Sequence, residues 1–355
     1  MPAKGSSPAR DEAPAAARRA PASAVVQLSR LLVFALTVAF AAGLRVPEPV
    51  QYLPFAASLV LFGLPHGALD HLVPARLAGR RADARSVLCV VLLYGALSGL
   101  CLALWFVAPA AAFVLFVAVT AFHWGAGDLH ALLSFGPPAL ARTRRMTRAL
   151  LLVGRGCTPM LVPLAFFPGV YRDVASDAAG LFGADATALG VVFESGVRGA
   201  VLAGLLALVA LSVVLAAWDL AGERRCLVPV AGEALLLVAF FAVVPPVLAV
   251  GLYFALWHAP RHVARLMLLD PAGATGSVAG SRALARFARD AAPLTGLALV
   301  CLVGLYFLVP SGAAGAGPLL ALYLVLVSAL TLPHAAVVSY MDWKQGVWSR
   351  YSPEV

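Results

Sequence analysis

The sequence predicts an all-α, polytopic integral membrane protein with about ten transmembrane helices. Of its 355 residues, 62% are hydrophobic and only 12% are charged, whereas soluble domains are nearer half apolar and a quarter charged. A membrane span needs about 20 mainly apolar residues, so the length allows roughly nine to eleven crossings. The same composition excludes a disordered chain, a collagen-like repeat and a secreted disulfide scaffold.

Ten apolar runs are long enough to be spans, and short polar segments separate most of them. The exception is Pro245-Pro246, where one long apolar stretch must turn or kink to make two helices. We expect residues 1–23 to form a disordered basic cytosolic tail, 24–340 a single transmembrane domain and 341–355 a short cytosolic tail. The predicted spans are 24–44, 50–71, 86–107, 110–127, 149–168, 197–217, 228–244, 247–266, 293–309 and 318–340.

The distribution of positive charge predicts the orientation of these spans. With ten crossings, 22 of the 26 Lys and Arg residues fall on one side of the membrane together with both termini. The longest loop on the opposite side, 169–196, is acidic. Because cytoplasmic loops carry an excess of Lys and Arg, both termini are predicted to be cytoplasmic. We expect a multi-pass protein of the cell (inner) membrane.

All seven histidines lie in or just beyond even-numbered spans, near the C-terminal end of each span. Even-numbered spans run toward the cytoplasm, so the seven side chains are predicted to lie at similar depth on the cytoplasmic side. A single histidine in a span can simply bond a neighbouring helix or reach the headgroups, but ionisable groups inside a bilayer are costly and usually mark function. The seven are His66 and His71 in PHGALDH, His123 and His130 in FHWGAGDLH, His258 and His262 in WHAPRH, and His334 in LPHAAVV.

The spacing of these histidines indicates a metal site. His258 and His262 are four residues apart, so one helix face can offer two imidazoles to one ion. His66 and His123 could supply ligands from other helices. Imidazole ligands suit Fe(II), Zn or Cu. The cysteines stand singly, without a CxxC pair, which argues against a sulfur-rich site. They are Cys89, Cys101, Cys157, Cys226 and Cys301.

Several neighbours of the histidines are candidates for supporting roles. Asp70 lies four residues after His66 and could fix the tautomer of an imidazole, although a carboxylate at a span end can also simply face the cytoplasm. Trp124, Tyr253 and Trp257 could line an apolar cavity beside the metal, or could belong to an interfacial aromatic belt. Glu233, inside the seventh span, is expected to form a helix–helix hydrogen bond.

Taken together, PHGALDH, FHWG and WHAPRH resemble the Brp/Blh family of bacterial and archaeal β-carotene 15,15′-dioxygenases, over roughly residues 50–340. The resemblance implies an Fe(2+) enzyme that cleaves the central double bond of β-carotene with O₂ into two molecules of all-trans-retinal. It also implies membrane lipid as the surroundings and a microbial rhodopsin as a possible user of the retinal. No nucleic-acid partner is expected.

Carried over motif by motif, the resemblance implies four residues that bind the iron and are therefore catalytic: His66, His123, His258 and His262. The remaining histidines would then support the ligands or the fold. We place His71 and His334 with Asp70 beside the metal, and His130 near the membrane surface.

Two other classes of protein remain open from the residues alone. A membrane di-iron desaturase or hydroxylase also uses histidines at cytoplasmic helix ends, and HGALDH has a suitable spacing, but such enzymes contain adjacent His-His pairs and this sequence has none. A transporter or proton pathway with a histidine cluster would place ionisable groups near the middle of the bilayer rather than near one face.

The ten-span topology can be tested with reporter fusions. Fusions after Arg85, Arg148, Arg225 and Arg289 should all report the cytoplasm, because each follows a positively charged segment, and a fusion near Asp177 should report the opposite side. A periplasmic signal from any of the first four would contradict the topology.

Overall fold

The computed structural model describes residues 9–270 and 281–349, and every regular element within those ranges is helical. In the described chain, nine helices are long and apolar enough to cross a membrane. This confirms the prediction of an all-α, polytopic membrane helix bundle. The outer ends of the two predicted tails, 1–8 and 350–355, lie outside the described residues.

Eleven helical segments make up the bundle, and two of them are interrupted by turns of other helix types. They are α1 (Ala9–Ala41), α2 (Glu48–Leu77), α3 (Ala84–Val107), α4 (Pro109–Phe135), α5 (Arg145–Phe166), α6 (Pro168–Gly180), α7 (Ser195–Asp219), α8 (Leu227–Val243), α9 (246–268), α10 (Ser281–Leu308) and α11 (Ala316–Lys344).

The first helix starts earlier than the sequence analysis predicted. α1 begins at Ala9, 15 residues before the first predicted span, which starts at residue 24. This stretch is rich in alanine, the residue with the highest helix propensity, which explains the helical start.

The predicted eighth span, 247–266, corresponds to α9 and is not among the nine long apolar helices. His258, Arg261, His262 and Arg265 make its second half polar. The chain nevertheless reverses after α8 and runs back along it. Near the turn, the rings of Phe241 and Tyr253 lie 5.4 Å apart, and farther away Glu233 lies 3.2 Å from Arg261. α8 and α9 are therefore antiparallel, as they must be if they are consecutive spans of a ten-span protein.

Turns of π-helix precede or contain two of the histidine motifs. In α2 the π-helical turn is Leu59–Gly63, directly before PHG, and in α9 it is Phe254–His258. A π-turn inserts one extra residue into the helix and so rotates the residues that follow it; such turns occur frequently at functional sites. Local helix geometry therefore adjusts the direction of His66 and His258.

The helix α11 lies at the centre of the bundle, whereas α3 and α10 lie at its outside. In the most apolar window, 67% of the residues of α11 are buried, compared with 11% for α3 and 17% for α10. α11 packs against α3, α4 and α6. Its histidine is therefore in the interior, whereas most of the surface of α3 and α10 is exposed at the outside of the bundle.

The segment 169–196, predicted as an acidic loop, is largely helical. It contains α6 and a 3₁₀-helix at Thr187–Phe193. Pro168 occupies the first turn of α6, where a missing N–H costs nothing. Because α6 packs against α4 and α11, it closes one end of the bundle.

The contact between α4 and α5 depends on two glycines. A Cβ atom on Gly125 would overlap the Leu152 carbonyl oxygen, and one on Gly156 would overlap the Ala121 carbonyl oxygen. The two helix backbones therefore approach as closely as small residues allow, which is a common way to pack helices in membranes. This contact fixes the position of α4, which carries His123.

Alanine at Gly125 or Gly156 should destabilise the fold, because forced overlap in a packed interior costs about 1–3 kcal/mol or more. The measurement is the thermal unfolding of detergent-purified protein. Gly204→Ala in α7 is the matched control, since a Cβ there meets nothing within 4 Å. Equal unfolding temperatures for all three variants would contradict the proposed close contact.

Candidate metal centre

Five of the seven histidines converge in the interior of the bundle. They come from four helices and are all buried, and eight of their ten ring pairs have centroid separations between 4.6 Å and 6.4 Å. We call this group the histidine cluster. Its members are His66 of α2, His123 of α4, His258 and His262 of α9, and His334 of α11.

Possible ligand atoms in this region form two adjoining triads. One consists of His66, His123 and His258, and the other of Asp70, His262 and His334; within each triad the ligand atoms lie within 4.8 Å of one another. The four ligands predicted from sequence thus lie in one cluster, divided between the triads. His334 lies in the same cluster.

The closest approach within the cluster has a separation typical of metal ligands. The Nε2 atoms of His123 and His258 are 3.0 Å apart. Two nitrogen ligands that bind one ion at right angles, each at about 2.1 Å, are separated by about 3.0 Å. The pair therefore has the spacing of two cis ligands.

Hydrogen bonds hold two of the rings with Nε2 free to bind. His66 Nδ1 lies 3.1 Å from the Phe62 carbonyl oxygen and also contacts that of Gly63. His334 Nδ1 lies 2.7 Å from Asp70 Oδ2, which also accepts a hydrogen bond of 2.6 Å from the Tyr94 hydroxyl. A ligand imidazole commonly donates its other N–H to a carbonyl or carboxylate in this way.

Several nitrogen atoms in the cluster are buried without a hydrogen-bond partner among the described residues. They include Nε2 of His262, Nε2 of His334 and Nδ1 of His123. Leaving a buried polar atom unpaired costs about 1–3 kcal/mol. A cation bound by the two Nε2 atoms would remove that cost, so the donor set fits a metal that prefers imidazole.

One motif glycine leaves room for an imidazole. A Cβ on Gly127 would lie only 3.2 Å from Cε1 of His258, whereas one on Gly67 would make an ordinary contact of 3.5 Å with Nδ1 of His334. The second glycine of FHWGAG therefore allows the ring of His258 to lie close to the backbone of α4.

The other two histidines lie outside the cluster. His71 Nδ1 is 2.9 Å from the Ala68 carbonyl oxygen. His130 Nε2 is 3.2 Å from the Ser134 hydroxyl, and its ring is buried rather than at the surface.

An ionic network lies next to the cluster. Two buried carboxylates, Asp128 and Glu233, are shared by Arg155 and Arg261. Asp128 lies 3.4 Å from each arginine. Glu233 lies 3.2 Å from Arg261. Arg155 also pairs directly with Glu233, and Arg30 of α1 binds Glu233 at 2.7 Å. Glu233 was expected to bond a neighbouring helix, and it bonds three arginines on three helices.

The WHAPRH motif contributes to both the cluster and the network. His258 and His262 belong to the cluster, whereas Trp257 and Arg261, each one position earlier, belong to the network. The Trp257 indole donates to Asp128 at 2.8 Å, and the Arg261 guanidinium lies 3.6 Å above the Trp257 ring. The network thereby fixes the rotation of α9 about its axis.

The cluster opens onto one cavity of about 490 Å³. Its lining includes His66, His123, His334, His71 and Asp70, and the remaining walls are mainly apolar. Of the three aromatic residues predicted to line a cavity, Trp124 does so. Tyr253 and Trp257 are fully buried behind it, and the Tyr253 ring lies 4.8 Å from that of Trp124.

The contacts of His334 and Tyr94 with Asp70 could not be predicted from the sequence, because they join residues that are far apart along the chain. Sequence reasoning also missed the role of Asp128, for which a signal was available. This carboxylate directly follows the predicted span 110–127 and stands between two histidines of FHWGAGDLH, and a carboxylate that is buried there requires a positive partner.

The chain was compared with known proteins. The family model described as beta-carotene 15,15'-dioxygenase matches residues 57–342. The probable beta-carotene 15,15'-dioxygenase Blh of Halobacterium salinarum is 41% identical over 342 residues, which cover 94% of this chain and 96% of the relative. The probable beta-carotene 15,15'-dioxygenase Brp of the same species is 35% identical over 346 residues, covering 90% and 93%. No solved structure matches the chain significantly.

The family match includes all five residues of the histidine cluster and both carboxylates of the network. It extends over far more than half of the chain, and both relatives are aligned over nearly their full length. This chain therefore belongs to the beta-carotene 15,15'-dioxygenase family.

Proposed function

We propose that this protein cleaves the central 15,15′ double bond of β-carotene with O₂ and releases two molecules of all-trans-retinal. The carbon–carbon double bond breaks, and each of the two carbons receives one oxygen atom. The observation that carries the proposal is a cluster of five buried imidazoles beside one mainly apolar cavity, which three of them, His66, His123 and His334, line directly. The family membership supports the same reaction.

We further propose that the metal is Fe(2+), bound within the histidine cluster by His66, His123, His258, His262 and His334. Imidazole ligands suit this ion, and neutral ligands leave its positive charge uncompensated. When bound, the iron supplies the redox chemistry by which O₂ reacts with a carbon–carbon double bond.

The protein's own groups orient the ligands and hold the hydrocarbon. The backbone carbonyl of Phe62 fixes the ring of His66, and Asp70, with Tyr94 behind it, fixes the ring of His334. The apolar walls of the cavity favour a hydrocarbon over water. Exclusion of water also protects the reacting centre from side reactions.

A di-iron centre is the second candidate, because the ligand atoms fall into two triads. We favour a single iron, because rings of different triads lie as close together as rings of one triad: the ring centroids are 4.6 Å apart for His123 and His334 and 4.7 Å apart for His123 and His258. Metal analysis separates the two proposals, with one iron per chain expected for the first and two for the second.

The surroundings follow from the same proposal. β-Carotene dissolves in membrane hydrocarbon, so lipid would be the source of substrate for an enzyme of the cell (inner) membrane. The retinal would be available to a microbial rhodopsin, the partner that the sequence resemblance implies.

Detergent-purified protein should consume β-carotene and O₂ and form retinal, with activity lost on chelation and restored by Fe(II). The expected product is retinal alone, because cleavage at the central bond gives two identical aldehydes. Full activity after exhaustive metal removal would contradict the metal proposal. Apocarotenals of unequal length would contradict central cleavage but not the oxygenase class.

Alanine substitution should separate the histidine cluster from the two histidines outside it. His66→Ala, His123→Ala, His258→Ala, His262→Ala and His334→Ala should each lose most bound iron and turnover, because each removes a buried donor. His71→Ala and His130→Ala are matched controls in the same region and should retain iron. Iron content and retinal yield, both normalised to folded protein, are the measurements.

Asp70→Asn should give an intermediate result, since loss of a residue that orients a ligand typically costs about 10–100-fold in metal affinity or activity. If His334→Ala kept normal iron while the other four variants lost it, His334 would not be a ligand.

A further inference from the structure

The residues that line the cavity fall into two groups by the helices that carry them, and we treat these groups as two arms that share the histidine cluster. One group, the enclosed arm, lies among α4, α5, α6, α9 and α11, and most of its lining residues are buried or half-buried. Along α4 it extends from His123 to Phe113, and ten residues at 1.5 Å each correspond to a depth of about 15 Å. At its far end it reaches α6, where Tyr171 and Val174 are half-buried and Val170 is 36% exposed.

The other arm opens sideways between α3 and α10. Four of its lining residues are exposed at the outer surface of the bundle: Val91 and Gly95 of α3, and Leu297 and Cys301 of α10. Val91 is 49% exposed and Leu297 is 57% exposed. The two helices pack mainly on other neighbours and touch each other only sparsely. α3 packs on α4 and α11, whereas α10 packs on α2 and α11. A gap therefore remains between them.

The chemistry of this gap matches hydrocarbon. Its walls are formed by aliphatic side chains, including Val90, Leu294 and Ala298, and polar groups appear at its inner end, where Tyr94 bonds to Asp70. Because α3 and α10 have little buried surface, the outer end of the gap faces the acyl chains of the bilayer. An apolar molecule can pass from lipid to the cluster without contact with water.

We propose that the gap between α3 and α10 is the portal through which the carotenoid enters from the bilayer. One half of the substrate then lies in the enclosed arm and the other half stays in the portal, which puts the middle of the chain at the histidine cluster. This inference rests on the proposed function, because it requires a long, symmetric hydrocarbon as substrate.

Gly95 is the residue at which the portal can be blocked without disturbing the fold. A Cβ atom there meets nothing within 4 Å, so a large side chain would extend into open space. Gly99, one turn along α3, is also exposed and equally free of neighbours, but it does not line the cavity. The two glycines are thus a matched pair that differs only in position relative to the portal.

The first test compares Gly95→Phe with Gly99→Phe. Gly95→Phe should lower kcat/KM for β-carotene about tenfold or more because it obstructs access, with iron content and thermal unfolding unchanged. Gly99→Phe should stay within about twofold of the unsubstituted protein. Equal effects of the two substitutions would overturn the portal.

The second test does not depend on turnover. Cys89 and Cys301 are both exposed on the outside of the bundle, but Cys301 lines the portal and Cys89 does not. In iron-loaded protein kept without O₂, so that substrate is bound but not cleaved, β-carotene should slow alkylation of Cys301 by N-ethylmaleimide and leave the rate at Cys89 unchanged. Equal rates at Cys301 with and without β-carotene, or equal protection of both cysteines, would overturn the proposal.

The two proposals fail in different ways. If the unsubstituted protein forms no retinal, the proposed function fails. If it forms retinal while Gly95→Phe behaves like Gly99→Phe and Cys301 stays unprotected, only the portal fails.

Discussion

The buried carboxylates Asp128 and Glu233 are the constraint on which the rest of the site depends. Charged groups inside a membrane bundle are strongly unfavourable unless they are paired, and these two are paired with Arg30, Arg155 and Arg261. The network connects α1, α4, α5, α8 and α9. Because Arg261 and Trp257 can meet Asp128 in only one rotation of α9, the neighbouring positions of that helix turn toward the histidine cluster.

The cluster and the cavity together explain how a soluble ion and an insoluble hydrocarbon can meet within a bilayer. Neutral imidazoles bind a cation without adding negative charge to an apolar region. Asp70, the carboxylate nearest to them, is bonded to His334 and to Tyr94. Since the cavity is mainly apolar and continues to the lipid-facing surface, its walls favour hydrocarbon over water up to the cluster itself.

The sequence predicted what is encoded locally. Apolar runs gave the helices, and the i, i+4 spacing of His258 and His262 placed both on one face. His334 was expected only to support the ligands, because its contacts with Asp70 join positions 264 residues apart and depend on the packing of α2 against α11. Trp257 was expected in a cavity wall because aromatic residues often line such walls; it is instead held by Asp128, a pairing that no local pattern reveals. α1 begins before the first apolar run because the alanine-rich stretch that precedes this run has a high helix propensity.

X-ray absorption at the iron edge of the purified protein tests the central claim most directly, because it reports on the atoms bound to the metal. The account predicts a shell of nitrogen or oxygen atoms with the outer-shell scattering of several imidazoles, without sulfur and without a second iron nearby. This imidazole signal should be weaker in the iron that remains bound to His334→Ala and unchanged in His71→Ala. Sulfur ligands would contradict the assignment of the histidine cluster as the metal centre. An imidazole signal that is unchanged in both His334→Ala and His258→Ala would contradict it as well.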